Sequence, residues 1–448
     1  MADNGDYFRI LYGNGIYFHI PDYDSQYFGY FVKKYGIFQY FNESGKAIFS
    51  SQSLWIQFAL WINRLFDSHV FDIRVLGAIL TLSYVIAIYL FIEAITWKTP
   101  AKYGYPIAGL AIFLFGDTAY TAFFNSFYGE SIVWISMLFL IGSGLLLYRN
   151  RYNDYVLLAI FFASALLLTT SKQQNAPVGI LIAAFGVFLV VLRRARTYRW
   201  CVASALVGLL LTGIGTYVLI PQEFVNINKY HAMTRGMLPG STDPEATLGT
   251  FGIDKQFAVL NETIYYELYT TVDVDSDILQ ERFYNRYGFG SILAYYITHP
   301  GRAVEMLDLA AKSAFTIRPP AMGNYEKSVG KPFGAHTSFF SGYSWLKVSM
   351  APKTFGFIVI WMLVIIGLYM PSFVSALRAK NWRQALRLPF ILTMMAMGLA
   401  GIAVSIIGAG DADLSKHEFM FTAAFDIVTF LCVADAIRRR LWQGEPNE

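Results

Sequence analysis

Nine apolar stretches, each long enough or nearly long enough to cross a lipid bilayer, limit what this chain can fold into. They cover residues 73–96, 105–123, 127–148, 155–170, 176–192, 201–220, 354–377, 389–409 and 418–437. Gly116 and Asp117 interrupt the second stretch. Inside hydrocarbon the backbone polar groups must be hydrogen-bonded within their own segment, so such stretches form helices. The sequence therefore predicts an all-α polytopic membrane protein with a bundle of nine transmembrane helices.

Composition agrees with this fold class and argues against others. Hydrophobic residues make up 55% of the 448 residues, charged residues only 15%, and the mean hydropathy is +0.42. The net charge of +4 is small and the arginines form short runs, so nucleic acid is not a predicted partner. Cys201 and Cys432 both lie inside apolar stretches, which argues against a disulfide framework or a thiolate metal cluster. The predicted partner is the lipid bilayer, and the predicted location is the cell membrane.

Lysine and arginine clusters occupy every second loop and predict the orientation of the helices. They lie at Lys98 and Lys102, and within residues 149–151, 193–199, 378–387 and 438–440. Such clusters mark cytoplasmic loops. The chain then divides into an exterior acidic loop with juxtamembrane helices (1–72), a transmembrane bundle (73–220), a mostly helical exterior domain (221–353), and C-terminal transmembrane helices with a cytoplasmic tail (354–448).

Three further expectations concern the predicted exterior segments. Residues 1–72 can reach the exterior only behind a membrane-crossing helix. Either such a helix precedes Met1, or the orientation is inverted against five basic loops, and we favour the preceding helix. Residues 54–66, LWIQFALWINRLF, are apolar but too short to span, which indicates a helix lying along the membrane surface. Pro300 stands where a helix can begin, and the residues that follow it place four small or apolar side chains on one face. These are Leu307, Ala310, Ala311 and Ala314.

Acidic residues gather in three segments of the predicted exterior face. ADNGDYFR carries Asp3 and Asp6, GDTAYTAFFNSFYGE carries Asp117 and Glu130, and GDADLSKHE precedes the last span. A carboxylate at a membrane edge can take a proton from an alcohol, hold a divalent cation or bind sugar hydroxyls. Any one of these acids taken singly also fits a solvated loop residue. Three such segments, each with aromatic neighbours, favour a site.

Basic and amide residues accompany the acids. Lys172 follows an apolar stretch directly in TTSKQQNAP, where it can neutralise a lipid phosphate, and Gln174 and Asn175 offer amide hydrogen bonds. The alternative for Lys172 is a lysine that extends to the membrane interface. Lys416 offers a second cation, with His417 beside it. His417 has no partners at the HExxH spacing, so a zinc site is not predicted.

The last apolar stretch contains ionisable residues of its own. Glu418, Thr422, Asp426 and Thr429 fall on one helical face. Ionisable groups within membrane segments usually face the bundle interior or a wet cavity. Asp426 can therefore line a site or pair with a neighbouring helix, and the sequence leaves both readings open.

These segments resemble those of integral-membrane glycosyltransferases of the GT-C fold. Within that class ADNGDYFR, YTAFFNSFYGES, SKQQN and DADLSKHEFMF look most like the bacterial WsfD-type hexose transferases of cell-surface glycan biosynthesis, over nearly the whole chain. The resemblance implies a GT-C-like bundle, a polyprenyl-phosphate-linked sugar donor and a glycan acceptor. GT-C proteins begin with a cytoplasmic N-terminus and a first helix before the acidic loop, whereas this chain begins at the loop.

The resemblance also implies roles for the candidate residues. Asp3 or Asp6 accepts the proton of the acceptor hydroxyl, which attacks the anomeric carbon with inversion while polyprenyl phosphate leaves. Lys172 is the first candidate to stabilise the leaving phosphate, and Lys416 or His417 the second. Asp117 and Glu130 complete an acidic site that binds Mg²⁺ or Mn²⁺ or orients the acceptor. Arg9, Asn125 and Tyr128 are candidates to contact the sugar or to fix a loop, and Gln174 and Asn175 are further candidates for substrate binding.

Two other functions fit a chain of this kind. A transporter or flippase of lipid-linked glycans would have repeated halves and polar sites near the middle of the membrane. This sequence has no apparent repeat, and its polar residues gather at one edge. A structural membrane subunit would not need its exterior acids. The pattern favours the enzyme.

Overall fold

The computed structural model describes residues 1–40, 50–267 and 269–440. Residues 41–49 of the predicted exterior loop and residues 441–448 of the predicted cytoplasmic tail lie outside the described residues.

The N-terminal segment combines short helices with a small sheet. It contains helix α1 (Phe8–Leu11), helix α2 (Gln52–Asn63), and strands β1 (Ile16–Tyr17), β2 (Lys34–Ile37) and β3 (Val70–Asp72). The strands are antiparallel in the order β1-β2-β3, with Ile16 opposite Ile37 and Tyr35 opposite Phe71. The sequence patterns did not predict this sheet. Its strands are too short to carry an alternating pattern of their own.

Helix α2 corresponds to the predicted juxtamembrane helix. Asn63 ends it, because the Asn63 side-chain amide donates to the carbonyl oxygens of Asp67 (2.9 Å) and Val70 (2.8 Å). One face is buried through Ile56, Ala59 and Leu60. The other face leaves large apolar side chains exposed, as expected of a helix at a membrane surface. These include Leu54, Phe58 and Trp61.

The predicted bundle is present. Its helices in the first half are α3 (Ile73–Thr96), α4 (Ala101–Phe115), α5 (Thr118–Thr121), α6 (Glu130–Tyr148), α7 (Asp154–Ser171), α8 (Ala176–Gly186) and α9 (Arg196–Val218). Within the described residues, eight helices are long and apolar enough to cross a membrane, and nine if α4 and residues 118–125 form one bent span. The prediction of an all-α, multi-pass membrane protein is confirmed.

The weak second span is broken where the sequence predicted an interruption. Helix α4 ends at Phe115, and residues 118–125 turn away from it by 49°. Asp117 caps α5, since its carboxylate accepts the backbone N–H of Ala119 at 2.8 Å. Helix α6 follows and lies at the centre of the bundle, almost entirely buried against α3 and α7.

The predicted exterior segment is helical, and the structure describes it except at residue 268. It contains α10 (Gln222–His231), a π-helical turn (Ala232–Met237), α11 (Pro244–Thr250), α12 (Asp277–Arg282), α13 (Phe289–Thr298), α14 (Pro300–Ser313) and α15 (Gly342–Met350). Pro300 begins α14 as predicted, and Ala310, Ala311 and Ala314 are fully buried. Helices α16 (Phe355–Arg378), α17 (Trp382–Ala385), α18 (Arg387–Ala409), α19 (Leu414–His417) and α20 (Phe419–Ile437) complete the described chain.

Short 3₁₀ segments connect many of these helices. They are Tyr12–Asn14, Tyr23–Gln26, Ala122–Asn125, Gln173–Asn175, Val187–Leu192, Lys255–Leu260, Tyr284–Arg286 and Lys327–Val329. The segments at residues 173–175 and 187–192 extend α8 at both ends, so that Gln173–Leu192 forms one span.

Asp426 pairs with the predicted exterior segment, which decides between the two readings of its role. Its carboxylate accepts a hydrogen bond from the ammonium of Lys347 at 2.6 Å and from the hydroxyl of Tyr120 at 2.5 Å. The neighbouring Thr422 donates to the carbonyl oxygen of Ala314 at 2.6 Å. These buried contacts hold α15 and the end of α14 against α20.

Candidate functional site

A cavity of about 340 Å³ opens where α6, α8 and α18 meet the N-terminal segment. We call it the site cavity. Its polar lining includes Asp6, Arg9, Glu130, Lys172, Gln174, Lys416 and His417, and its apolar wall includes Tyr217, Phe224, Phe289 and Ile407. The cavity therefore has a charged end and an apolar side, which is the shape of site that an amphipathic ligand requires.

Asp6 and Asp3 have different surroundings, although they are three residues apart. The Asp3 carboxylate accepts the backbone N–H groups of Gly5 (2.8 Å) and Tyr7 (3.2 Å) and the hydroxyl of Tyr23 (3.3 Å). Gly5 takes a φ of +91°, a conformation that glycine adopts without strain. Asp3 is buried in this turn and does not line the cavity, whereas Asp6 does.

The same difference appears in the acidity of the two carboxyl groups. Burial raises the pKa of Asp3 to about 6, against the hydrogen bonds that lower it. Burial also raises the pKa of Asp6, but the charges of Lys416 and Arg9 outweigh it and hold this pKa well below its usual range. Of the two aspartates, Asp6 is therefore the one that is ionised and that lines the cavity.

Lys416 is the buried cation opposite Asp6. Its ammonium forms an ion pair with Asp6, lies 3.6 Å from the Asp413 carboxylate and stands 4.9 Å from the ring centre of Tyr128. Burial lowers the pKa of Lys416, but Asp6 and Asp413 raise it above its usual value. The lysine is held charged in a largely enclosed position.

Lys172 and Glu130 form a second ion pair at the cavity, with 2.5 Å between the ammonium and the carboxylate. Glu130 is the first residue of α6 and Lys172 follows the end of α7, so the two helices bring them together. A Cβ atom on Gly129 would lie only 3.2 Å from the Lys172 side chain, so this glycine leaves room for the lysine. The second oxygen of Glu130 has no hydrogen-bond partner among the described residues.

Arg9 completes the cationic side of the cavity. Its guanidinium lies 3.4 Å from the Asp6 carboxylate and within 5.8 Å of the ring centres of Phe224 and Tyr266. Aromatic faces attract a guanidinium and hold its plane. Arg9, Lys172 and Lys416 thus converge on one cavity that Asp6 and Glu130 also line.

His417 lies in the cavity as a neutral side chain. Its Nδ1 is 2.7 Å from the Gln174 side-chain oxygen, and the Gln174 amide donates to the His417 carbonyl oxygen at 3.0 Å. Burial, with the charges of Lys172 and Lys416, lowers the pKa of His417 to about 3. At neutral pH it therefore carries no charge, and its one N–H, at Nδ1, donates to Gln174, which leaves Nε2 as an acceptor. Of the two candidates for a second cation, Lys416 rather than His417 carries the charge.

Four of the predicted site residues do not line the site cavity. Besides Asp3, they are Asp117, Asn125 and Asn175. Asp117 accepts the N–H (2.9 Å) and hydroxyl (2.8 Å) of Ser344, as a buried helix cap does. The Asn125 side chain packs against Gly77, and the Asn175 amide donates to Ser171 at 2.9 Å. Glu130 lines the cavity and Asp117 does not, so the two do not complete the predicted acidic site together.

Tyr128 was predicted to contact the sugar or to fix a loop, and it lines the cavity. Its hydroxyl is engaged elsewhere: it accepts the N–H of Asn4 at 2.8 Å and lies 3.0 Å from the Ala2 carbonyl oxygen. Tyr128 therefore fixes the turn that carries Asp6.

Sequence reasoning missed two contributors to the site. Asp413 was quoted within GDADLSKHE but not singled out, and it contacts both Lys416 and the side-chain amide of Asn4 (3.1 Å). Arg235, in the π-helical turn, binds both carboxylate oxygens of Asp411 at 2.7 and 2.9 Å and so holds the loop that carries Lys416. The left-handed conformation of Asp413 was not visible in the sequence, and the Arg235 contact joins residues that are far apart in the chain.

The carboxylates do not form a metal site within the ranges that the structure describes. No group of three or more histidine, cysteine, aspartate or glutamate side chains comes together there. Asp6 is paired with Lys416 and Arg9, and Glu130 with Lys172, so each acid already has a cation beside it. This set of donors does not fit Mg²⁺ or Mn²⁺, which prefer oxygen ligands free of competing cations.

Comparison with known proteins identifies the family of the chain. Searches of curated proteins and of solved structures each found no match. The model of one family, described as the YfdI N-terminal transmembrane domain, matches residues 1–448. Its description as a transmembrane domain agrees with the helical bundle. The chain therefore belongs to the YfdI N-terminal transmembrane domain family.

Proposed function

We propose that this protein is a membrane glycosyltransferase of the GT-C type, most similar to the WsfD-type hexose transferases. It transfers a hexose from a polyprenyl-phosphate donor to a cell-surface glycan at the exterior face, with inversion. The observation that carries the proposal is the site cavity, which Asp6 and three cations line beside an apolar wall.

A polyprenyl-phosphate sugar matches the two parts of this cavity. Its phosphate is an anion that Arg9, Lys172 and Lys416 attract, because charge-assisted hydrogen bonds are the stronger ones. Its chain is hydrocarbon, which suits the wall formed by Tyr217, Phe224 and other apolar side chains. A free sugar nucleotide would not use the apolar wall.

The three cations support the departure of the phosphate. Transfer of a glycosyl group passes through a transition state with oxocarbenium character, while negative charge grows on the leaving oxygen. Lys416 and Lys172 are held at fixed positions by Asp6 and Glu130, so they need little rearrangement to receive that charge. The neutral His417 adds no charge to theirs.

Asp6 acts as the base in this proposal, and Asp3 shapes the turn that holds it. The acceptor hydroxyl gives its proton to Asp6 as its oxygen bonds to the anomeric carbon and the bond to phosphate breaks. The charges of Lys416 and Arg9 by themselves hold the pKa of Asp6 too low for a good base. A bound phosphate competes for Lys416 and Arg9, which weakens their hold on Asp6 and raises its basicity when the donor is present.

We also propose that no divalent cation takes part in the reaction. The lysine and arginine side chains supply the positive charge at the phosphate, and the acids do not form a set of metal ligands. Transfer should therefore continue when EDTA is present. Its loss in EDTA and recovery with Mg²⁺ or Mn²⁺ would contradict this part of the proposal.

The test uses the full chain reconstituted in vesicles with radiolabelled polyprenyl-phosphate hexoses and isolated cell-surface glycan. Asp6→Asn should reduce transfer at least about a hundredfold, the range typical of losing a general base. Asp24→Asn is the matched control, because Asp24 is an exposed acid of the same N-terminal segment outside the cavity. Full transfer by Asp6→Asn would refute Asp6 as the base. Movement of the labelled lipid between leaflets without transfer would refute the enzyme and favour a flippase.

A further inference from the structure

A second cavity lies at the opposite end of the bundle from the site cavity. We call it the basal cavity. It has a volume of about 140 Å³ and lies where α6 and α20 end and α18 begins. Its lining there includes Tyr148, Arg149, Arg387 and Asp435. The site cavity instead lies at the start of α6 and the end of α18.

The wall of the basal cavity is apolar and reaches the outer surface of the bundle. Most lining residues are aliphatic or aromatic, including Leu140, Phe161 and Met394. One side is formed by the 3₁₀ segment Val187–Leu192, in which the structure buries no residue. Phe188 both lines the cavity and is 43% exposed, so a hydrocarbon chain can reach the cavity from the side.

Basic residues stand at the mouth of the cavity. Arg387 donates to Asp435 at 2.7 Å, and Asp435 also accepts the hydroxyl of Tyr369 at 2.9 Å. Arg149 donates to the carbonyl oxygen of Ile95 at 2.9 Å. Among the described residues that line the cavity, two arginines stand against one aspartate, an excess of one positive charge. The mouth also lies at the arginine-rich end that the charge pattern predicts to be cytoplasmic.

We propose that the basal cavity binds an anionic glycerophospholipid of the inner leaflet, with part of one acyl chain in the cavity and the phosphate at Arg149 and Arg387. The apolar wall requires a hydrocarbon chain, which a free phosphate ion lacks. The net positive mouth favours a headgroup with a net negative charge over a zwitterionic one. This site is separate from the proposed catalytic site and does not depend on the proposed function.

The test measures which lipids stay bound to the purified full-length protein. The protein is reconstituted in nanodiscs of equimolar palmitoyl-oleoyl phosphatidylglycerol and phosphatidylcholine, extracted in mild detergent and examined by native mass spectrometry. We expect retention of phosphatidylglycerol over phosphatidylcholine. Gly144→Leu places a side chain in the cavity, where a Cβ would already lie 3.3 Å from Phe161 and 3.7 Å from Phe390. It should lower retention about tenfold.

A charge variant and its control test the headgroup contact. Arg387→Gln removes a cation at the mouth and should lower phosphatidylglycerol retention about fivefold, as expected for one basic residue near a membrane surface. Arg194→Gln removes a cation from the same end at an exposed position outside the cavity and should change nothing. If Gly144→Leu does not fold, Leu189→Trp fills the same cavity from its outer wall.

Three results would overturn the proposal. The first is equal retention of the two lipids by the unaltered protein. The second is unchanged retention in a folded cavity-filling variant. The third is displacement of phosphatidylglycerol by an equal amount of polyprenyl phosphate, which would assign the cavity to a different lipid.

Discussion

Replacing Lys347 with methionine would remove one half of an ion pair that has almost no contact with solvent. The Lys347 side chain is 3% exposed and that of Asp426 is 0% exposed, with 2.6 Å between ammonium and carboxylate. The pair joins α15 to α20, so it connects the predicted exterior segment to the bundle. Methionine keeps most of the length and apolar volume of the lysine stem, so the change mainly removes charge.

The expected loss of stability follows from the carboxylate that is left behind. In Lys347→Met, the hydroxyl of Tyr120 still donates to Asp426 at 2.5 Å, but no cation remains beside it. Removing one partner of a buried ion pair costs about 3 to 5 kcal/mol, because the other charge stays buried without compensation. The free energy of unfolding should fall by that amount. Lys347→Met combined with Asp426→Asn should recover at least half of it, because the amide oxygen still accepts from Tyr120.

The assay is equilibrium unfolding of the purified protein in mixed micelles, followed by circular dichroism as the denaturing detergent increases. Lys353→Met is the matched control, since Lys353 is exposed and lies just beyond the end of α15. It should change the unfolding free energy by less than about 0.5 kcal/mol, as surface substitutions usually do.

Two results would refute this reasoning. One is a loss below about 1 kcal/mol in Lys347→Met, the value of an exposed ion pair. The other is a double variant that is less stable than Lys347→Met, because it would mean that the charge of Asp426 is not the source of the loss.

Three further predictions concern the site. Burial raises the pKa of Asp3 from 3.8 to about 6, so its contribution to stability is full below pH 4 and is lost as the pH rises through 6. Asp3→Asn should abolish this pH dependence of the unfolding free energy, which amounts to about 3 kcal/mol across this pH range. The variant should still transfer the sugar. Lys172→Met should weaken binding of polyprenyl phosphate about tenfold in equilibrium binding. Arg235→Gln should free the loop that carries Lys416 and lower transfer about tenfold, whereas exposed Arg282→Gln should not.

Much of the bundle could be predicted, because the helical structure of each span follows from the residues of that span alone. A run of apolar residues in a membrane has to form a helix wherever its neighbours lie, so the predicted stretches agree with the helices within a few residues. The break at Gly116 and Asp117 was visible for the same local reason. The sheet of β1, β2 and β3 was not predicted, since its pairing joins short segments that are far apart in the sequence.

The site was predictable in part. The sequence placed Asp6, Glu130, Lys172 and Lys416 on one predicted face, and the structure brings these four to one cavity. The sequence analysis named Asp3 and Asp6 as equal candidates for the catalytic base. A carboxylate that caps a turn and one that faces a cavity look alike in a sequence, because the difference lies in which N–H groups surround them.

The sequence by itself therefore determined the membrane bundle and the set of charged residues available for chemistry, because hydropathy and residue type are local properties. It also determined membership of the YfdI N-terminal transmembrane domain family. Only the tertiary structure decided which charges meet. Lys416 reaches Asp6 across almost the whole length of the chain, and Asp426 pairs with Lys347 rather than lining the site. Such pairings depend on how the helices pack, because a buried charge is stable only where the fold brings it a partner.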